Sequence, residues 1–471
     1  MILILAIDFV VVVTVVGLAL WKGIEEALPF AAFVVVLVPL SSSIALSGLF
    51  DVSTQRVVIV TLTVLYFVAG KDGNPKPAST PLKSLLILAW IWMAVSTVNS
   101  VAFLHSLKAF ACETLDLYLL YYMVARKVSR AETVERILIG IVAGMAVCGV
   151  FGLIECYRGW SVISLFPVRT IVDISAADEG RRLHSTYPVA HLFGAALAMA
   201  VPLALYLIAT ARGAGRKTLL WAIVLVMVWN TYKTTTRGPW LALPIGLIPL
   251  LLQHQYRKYL MFIALLTASV LIVRPGVYDT IKGQYTTTFD PDSPKHSTYQ
   301  GRFDLLRMAN RAISKDLAHM LWGYGPATWI YLGFEEEYEN GSIHPIVSVD
   351  NAVAGFLEQV GYLGTLLYLL MLATPAIVAL RNWRAAQGAD RLLCLSLCGS
   401  MSAFLFMLTN LAVYGWGQQA FWIYIVMALS MTYPVWTQAG RTCELTVPGE
   451  SSQTPLGRLE LLTAKPLSRD W

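Results

Sequence analysis

The chain has 471 residues, of which 57% are hydrophobic and 14% charged, and its mean hydropathy is +0.63. These proportions exclude an ordinary soluble globular domain and describe a polytopic membrane protein. The formal net charge of +6 is unaccompanied by any basic surface pattern interleaved with aromatics, so it implies no nucleic-acid partner.

Apolar runs lie near residues 2–20, 28–50, 56–70, 84–104, 107–125, 137–156, 191–211, 218–232, 239–253, 259–273, 351–380, 392–412 and 416–436. Most approach the roughly 20 residues a helix needs to cross about 30 Å of hydrocarbon, which predicts an all-α polytopic bundle of about 12–13 transmembrane helices. The opening run MILILAIDFVVVVTVVGLAL has neither a basic start nor a small-residue cleavage site and reads as a retained span. Four regions are expected. Residues 1–273 carry the N-terminal spans and a short turn at 232–238, and 274–350 form one large loop with an amphipathic helix. Residues 351–436 hold the C-terminal spans, and 437–471 form a flexible polar tail.

The basic loops 71–83, 126–136, 211–217, 254–258 and 381–391 are separated by even numbers of spans, so one side of the membrane collects them and is cytoplasmic. The tail falls on that side; 157–190, 232–238, 274–350 and 411–416 fall on the other. The cysteines lie in or at the ends of spans, or in the tail, with no disulfide framework and no metal-ligand spacing.

The polar segments on the opposite side carry arginine at the membrane edge. The run GRRLHSTYPVAH leads from Arg181, Arg182 and His184 straight into a span. The turn YKTTTRG presents Lys233, three threonines ending in Thr236, and Arg237, a set suited to phosphate oxygens. In GRFDLLRMANRAI, Leu305, Leu306, Ala309, Ala312 and Ile313 form one helical stripe that includes Arg302; Asp304, Arg307 and Arg311 share the other face. Arg302 therefore points where the helix packs and needs an anionic partner, whereas its neighbours form a solvated surface. Asp350 and Asn351 are expected to cap the next span. Glu358 lies on the same face as Asn351, about 10 Å deeper, and an intramembrane carboxylate is a functional candidate.

The order "R..HSTYP.AH..GAALA..PL.L", "TTTRGPWLAL", "GRFDLLRMANRAI", "LWGYGPATW" and "VDNAVAGFLEQVGYLGTLLYL" resembles the O-antigen ligase and O-antigen polymerase superfamily of bacterial envelope proteins, over roughly residues 130–430. The resemblance implies metal-independent glycan transfer at the periplasmic face of the inner membrane, without a cofactor. The donor would be an undecaprenyl-pyrophosphate-linked oligosaccharide and the acceptor a glycan or lipid, with other polysaccharide assembly proteins as further partners. Arg237 and Arg302 would hold the pyrophosphate, with Arg181 or Arg182 adding to the field. Where the ligases carry the His of a His-Asn pair, this chain has Asp350, and its nearest histidine is His344. Either is a candidate to accept the proton of the attacking hydroxyl. The departure favours polymerisation, or ligation to an acceptor other than lipid A core. A transporter or flippase of lipid-linked glycan is the competing class; it would line cations through the membrane instead of gathering them at one face.

The orientation has a direct check. A cysteine introduced by Ser297→Cys should react with an impermeant thiol reagent added to spheroplasts, and one introduced by Gln387→Cys should not; the reverse labelling would invert the topology.

Overall fold

The computed structural model describes residues 2–39, 43–45, 51–68, 81–166, 182–290, 294–337, 343–346, 349–410, 414 and 418–445. Each of the thirteen apolar runs contains helix. In chain order the helices are α1 (Ile2–Lys22), α2 (Ile24–Leu37), α3 (Thr54–Val68), α4 (Pro81–Val98), α5 (Phe103–Glu113), α6 (Leu119–Lys127), α7 (Ala131–Arg158), α8 (Ala190–Thr210) and α9 (Ala214–Lys233). They continue with α10 (Arg237–Leu247), α11 (His254–Val273), α12 (Pro275–Phe289), α13 (Pro294–Ile313), α14 (Leu317–Trp322), α15 (Ala352–Ala385), α16 (Gly388–Leu408) and α17 (Gln418–Leu445). By length and composition α1, α7, α8, α11, α15 and α16 suffice to cross a membrane, and α3, α4 and α10 are shorter apolar helices. A π-helical turn, Thr114–Tyr118, joins α5 to α6, and a 3-10 turn, Ile248–Leu252, extends α10.

Two boundaries differ from the sequence expectation. The apolar run 28–50 is helical only to Leu37, because Val38 precedes Pro39 and is forced into extended backbone. Beyond it a small antiparallel hairpin pairs β1 (Ser43–Ala45) with β2 (Asp51–Ser53). The tail begins later than expected, since α17 continues through Leu445, past the anticipated boundary at 437; residues 446–471 lie outside the described residues.

The bundle is organised around α8. Nearly all of its residues are buried, and it packs on α7, α9, α10 and α16. Its sequence GAALAMAVPLAL supplies small side chains, which let neighbouring backbones approach closely where lipid gives no hydrophobic drive for helix association. One tight crossing involves two glycines, where a Cβ on Gly399 of α16 would lie 2.3 Å from the carbonyl oxygen of Gly246 on α10 and 3.2 Å from Pro202 of α8.

The buried acids are held within this frame. Asp116 receives Arg56 through paired contacts of 2.9 and 3.1 Å, and Glu113 accepts from the phenols of Tyr368 and Tyr414. Glu155 takes the backbone N–H of Ser185 at 2.7 Å and of His184 at 3.3 Å, which fixes the approach to α8. Ion pairs of this kind oppose a large desolvation cost and remain stable only when the remaining lone pairs are also satisfied.

α15 is broken at Gly361, whose φ of 68° and ψ of −172° lie in a region essentially reserved for glycine. The break frees the carbonyls of Glu358 and Gln359, which accept from the N–H groups of Tyr324 (2.8 Å) and Gly325 (3.0 Å) in the segment after α14. A Cβ at Gly361 would come within 2.5 Å of the Leu321 carbonyl oxygen. Gly361→Ala should therefore lower stability by about 1–3 kcal/mol, read as a reduced unfolding temperature in detergent, with strain and backbone clash as its cause.

Candidate functional site

Several helix ends meet at one end of the bundle. The first is the corner between α9 and α10. Thr234 ends α9, Thr235 takes a left-handed φ of 52°, and Thr236 is extended at the N-cap of α10. A β-branched residue in the left-handed region is strained, and strain of this kind collects at functional sites. The corner is held from outside by α8, where a Cβ on Gly194 would lie 2.8 Å from Pro239 and 3.1 Å from the Thr234 hydroxyl.

This packing revises the picture of three hydroxyls aimed at a phosphate. Thr234 is buried; its hydroxyl donates to the Thr231 carbonyl at 2.7 Å and pairs with the Thr236 hydroxyl at 2.8 Å. Lys233 is also drawn aside, with its ammonium over the rings of Trp229 and Tyr232 at 5.3 and 5.9 Å. Arg237 is the cation that opens α10, and its guanidinium donates to the hydroxyl of Thr288, a buried residue in the last turn of α12.

The second contributor is α13. Ala309, Ala312 and Ile313 are buried against Tyr324, Trp329, Ala354 and Leu357, with Leu305 and Leu306 packed alongside, as the sequence stripe required. On the opposite face Arg307 pairs with Asp304 at 2.9 Å, both well exposed. Arg302 lies on the packed side, half-buried, and its Nε has no hydrogen-bond partner among the described residues. Burial draws its guanidinium below the ordinary arginine range; Asp350 opposes that shift and Arg237 adds to it.

The third contributor is the start of α15. Asn351 is the N-cap, its side-chain oxygen accepting from the N–H groups of Val353 (3.0 Å) and Ala354 (3.2 Å). Its Nδ2 donates to the Arg302 carbonyl at 3.3 Å, so the cap also ties α13 to α15. Capping falls to Asn351 alone; Asp350 is exposed beside it and takes no part. Arg302, Leu306, Asn351, Thr409 and Asn410 line a cleft of about 210 Å³ between α13, α15 and the end of α16. A Cβ on Gly238 would lie 3.4 Å from Met407 and 3.9 Å from Asn410, which brings the Arg237 corner beside this cleft.

Of the residues singled out from sequence, the fold brings together Arg182, Arg237, Arg302 and Asp350. Arg182 is exposed on the segment that Glu155 anchors, and Arg237 lies within electrostatic range of it. Glu358 is placed elsewhere. Its side chain is fully buried and accepts from the Thr328 hydroxyl, so it holds the Gly323–Thr328 segment in place and does not face the cleft. The backbone of His344 lies in β4 (Ile343–Pro345), opposite Glu336 of β3 (Glu335–Glu337). Its side chain and the whole of Arg181 lie outside the described residues.

Two residues missed by sequence reasoning belong here. His191, in the first turn of α8, is within electrostatic range of Asp350, Arg302 and Arg182. Its signal was present in the run HSTYPVAH, a histidine just inside a span that follows two arginines. Thr288 carried no such signal, because only the docking of α12 on α10 brings it to Arg237. The assembly gathers three guanidinium groups, one imidazole and one carboxylate. Like charges this close repel one another, and a polyanion bound among them relieves that repulsion.

Residues 222–369, from within α9 into α15, match the family model described as O-antigen ligase. No curated protein matches the chain. The matched segment contains the Arg237 corner, Thr288, Arg302, Asp350 and Asn351, which supports the resemblance to that superfamily and, in general terms, a membrane glycosyltransferase of the O-antigen ligase type.

The double duty of Asn351 yields a prediction. Asn351→Ala should cost about 0.5–2 kcal/mol of stability from the lost cap, while Asn351→Asp, which keeps the capping oxygen but loses the Nδ2 donor to the Arg302 carbonyl, should recover only part of it in thermal unfolding.

Proposed function

With the O-antigen ligase match as premise, we propose that the protein transfers or polymerises undecaprenyl-pyrophosphate-linked glycan at the periplasmic face of the bacterial inner membrane. In this reading it is multi-pass with a cytoplasmic C-terminus, and it acts in exopolysaccharide or O-antigen biosynthesis. The observation that carries the reading is the convergence of Arg182, Arg237 and Arg302 at one end of the bundle, with the Nε of Arg302 buried and unpartnered among the described residues. An orphaned buried donor on a guanidinium calls for an anionic oxygen, and the planar fork of arginine suits phosphate.

The reaction follows from that placement. An acceptor hydroxyl attacks the anomeric carbon of the donor sugar, forming a new C–O bond as the bond to the diphosphate oxygen breaks. The leaving diphosphate gains charge in the transition state, and Arg237 and Arg302 stabilise it without a metal ion. Asp350, exposed next to the Asn351 cap, takes the hydroxyl proton; His191 lies within electrostatic range of it as a further proton carrier. A carboxylate at this position, in place of the ligases' histidine, favours a polymerase or a ligase with another acceptor over transfer to lipid A core.

The comparison of two faces of α13 tests the proposal. Arg237→Ala and Arg302→Ala should each abolish polymer formation at wild-type abundance, and Arg237→Lys should recover little, since a point charge does not reproduce the fork. Arg307→Ala should be nearly silent, because an exposed pair contributes about 0–1 kcal/mol. Wild-type polymer length in Arg237→Ala cells would refute the assignment.

A further inference from the structure

Arg237 is attached to an aromatic wall that the mechanism above does not use. Trp240 lies one helical turn beyond Arg237 on the same face of α10, and Tyr285 lies one turn before Thr288 on α12. The two helices therefore meet in two successive layers, Arg237 with Thr288 and then Trp240 with Tyr285. The rings of Trp240 and Tyr285 are 6.5 Å apart at 55°. On its other side Trp240 meets Tyr232, stacked at 5.7 Å and 16°, and Tyr232 in turn contacts Trp229 at 5.6 Å. The Trp240 indole is pinned, its Nε1 donating to the Thr231 carbonyl at 2.9 Å. Tyr232, Trp240 and Tyr285 all remain partly exposed.

Tryptophan and tyrosine at helix ends ordinarily mark the membrane interface, where each ring anchors on its own. Here three rings are locked into one surface by stacking and a hydrogen bond, and that surface ends at the proposed phosphate-binding arginine. A pyranose ring is chemically complementary to it. Its C–H face is apolar and weakly positive, the aromatic face is negative, and its rim of hydroxyls stays outside. In a glycosyl diphosphate the sugar is one bond from the phosphate. The spacing from Arg237 to Trp240 is about one turn, roughly 5 Å, and matches that separation.

We propose that Tyr232, Trp240 and Tyr285 form the subsite that seats the sugar bonded directly to the diphosphate. The inference rests on the reading that Arg237 binds the diphosphate, and it adds a site for the glycosyl group. The competing occupant of the same wall is the prenyl chain, which is equally close to the diphosphate.

Binding to purified protein in nanodiscs separates these cases, using a short-chain prenyl diphosphate and the same compound bearing one sugar. The wild type should prefer the sugar-bearing ligand. Trp240→Ala should weaken that ligand about tenfold and leave the sugar-free one unchanged, Trp240→Phe should keep most of the preference, and Tyr285→Ala should reduce it. Equal weakening of both ligands would give the wall to the prenyl chain and overturn the subsite, as would an unchanged preference in Trp240→Ala. If the wild type binds neither diphosphate and Arg237→Ala alters nothing, the reading of Arg237 falls and the subsite with it; binding of both that depends on Arg237 but not on Trp240 removes the subsite alone. Monodisperse elution of each variant guards against loss of fold.

Discussion

Close approach of helix backbones to α8 is the constraint on which the rest of the architecture depends. In a membrane the separated helices are already among apolar neighbours, so association relies on dispersion contacts and requires small side chains at the crossings. The Gly and Ala residues of α8, with Gly246 and Gly399 on its neighbours, meet that requirement. Once α10 and α16 are drawn onto α8, the position of the Arg237 corner follows, because Gly194 of α8 leaves no gap against Pro239 and Thr234. The charged end of the bundle is thus positioned by its apolar middle.

That end combines a rigid half with a more exposed one. The corner between α9 and α10 is buried behind Thr234 and strained at Thr235, and the start of α15 is capped by Asn351. Against this frame lie α12 and α13. They belong to the long segment between spans, and they bring Thr288, Tyr285 and Arg302 to the frame. The Asn351 contact with the Arg302 carbonyl and the Arg237 contact with Thr288 tie the two halves together.

Four carboxylates within apolar runs show how a functional candidate differs from a structural one. Glu113, Asp116, Glu155 and Glu358 all invite a mechanistic reading by virtue of lying in apolar runs. Each has a protein partner that accounts for it: two phenols, the Arg56 guanidinium, backbone N–H groups before α8, and the Thr328 hydroxyl. Arg302 differs in lining the cleft: its buried Nε has no partner among the described residues, whereas the unpartnered Oε2 of Glu358 belongs to a side chain already tied to Thr328. Asp350 differs in the other direction, being exposed and left out of the cap beside it.

Sequence by itself determined the elements and their chemistry. Hydrophobic runs near span length fixed the all-α membrane architecture, and the 100° periodicity of GRFDLLRMANRAI separated Arg302 from Arg307 before any packing was known, because both signals are local in the chain. The order of motifs also carried the family resemblance. The limits were equally local. Sequence offered Lys233 and Thr234 as phosphate ligands because they adjoin Arg237, yet the tertiary structure turns one onto aromatic rings and buries the other. It gave no reason to connect His191 with Asp350, or Thr288 and Tyr285 with Arg237 and Trp240. Those pairs are far apart in the chain, and only the docking of helices, decided by side-chain volume at distant crossings such as Gly246 on Gly399, brings them into one site.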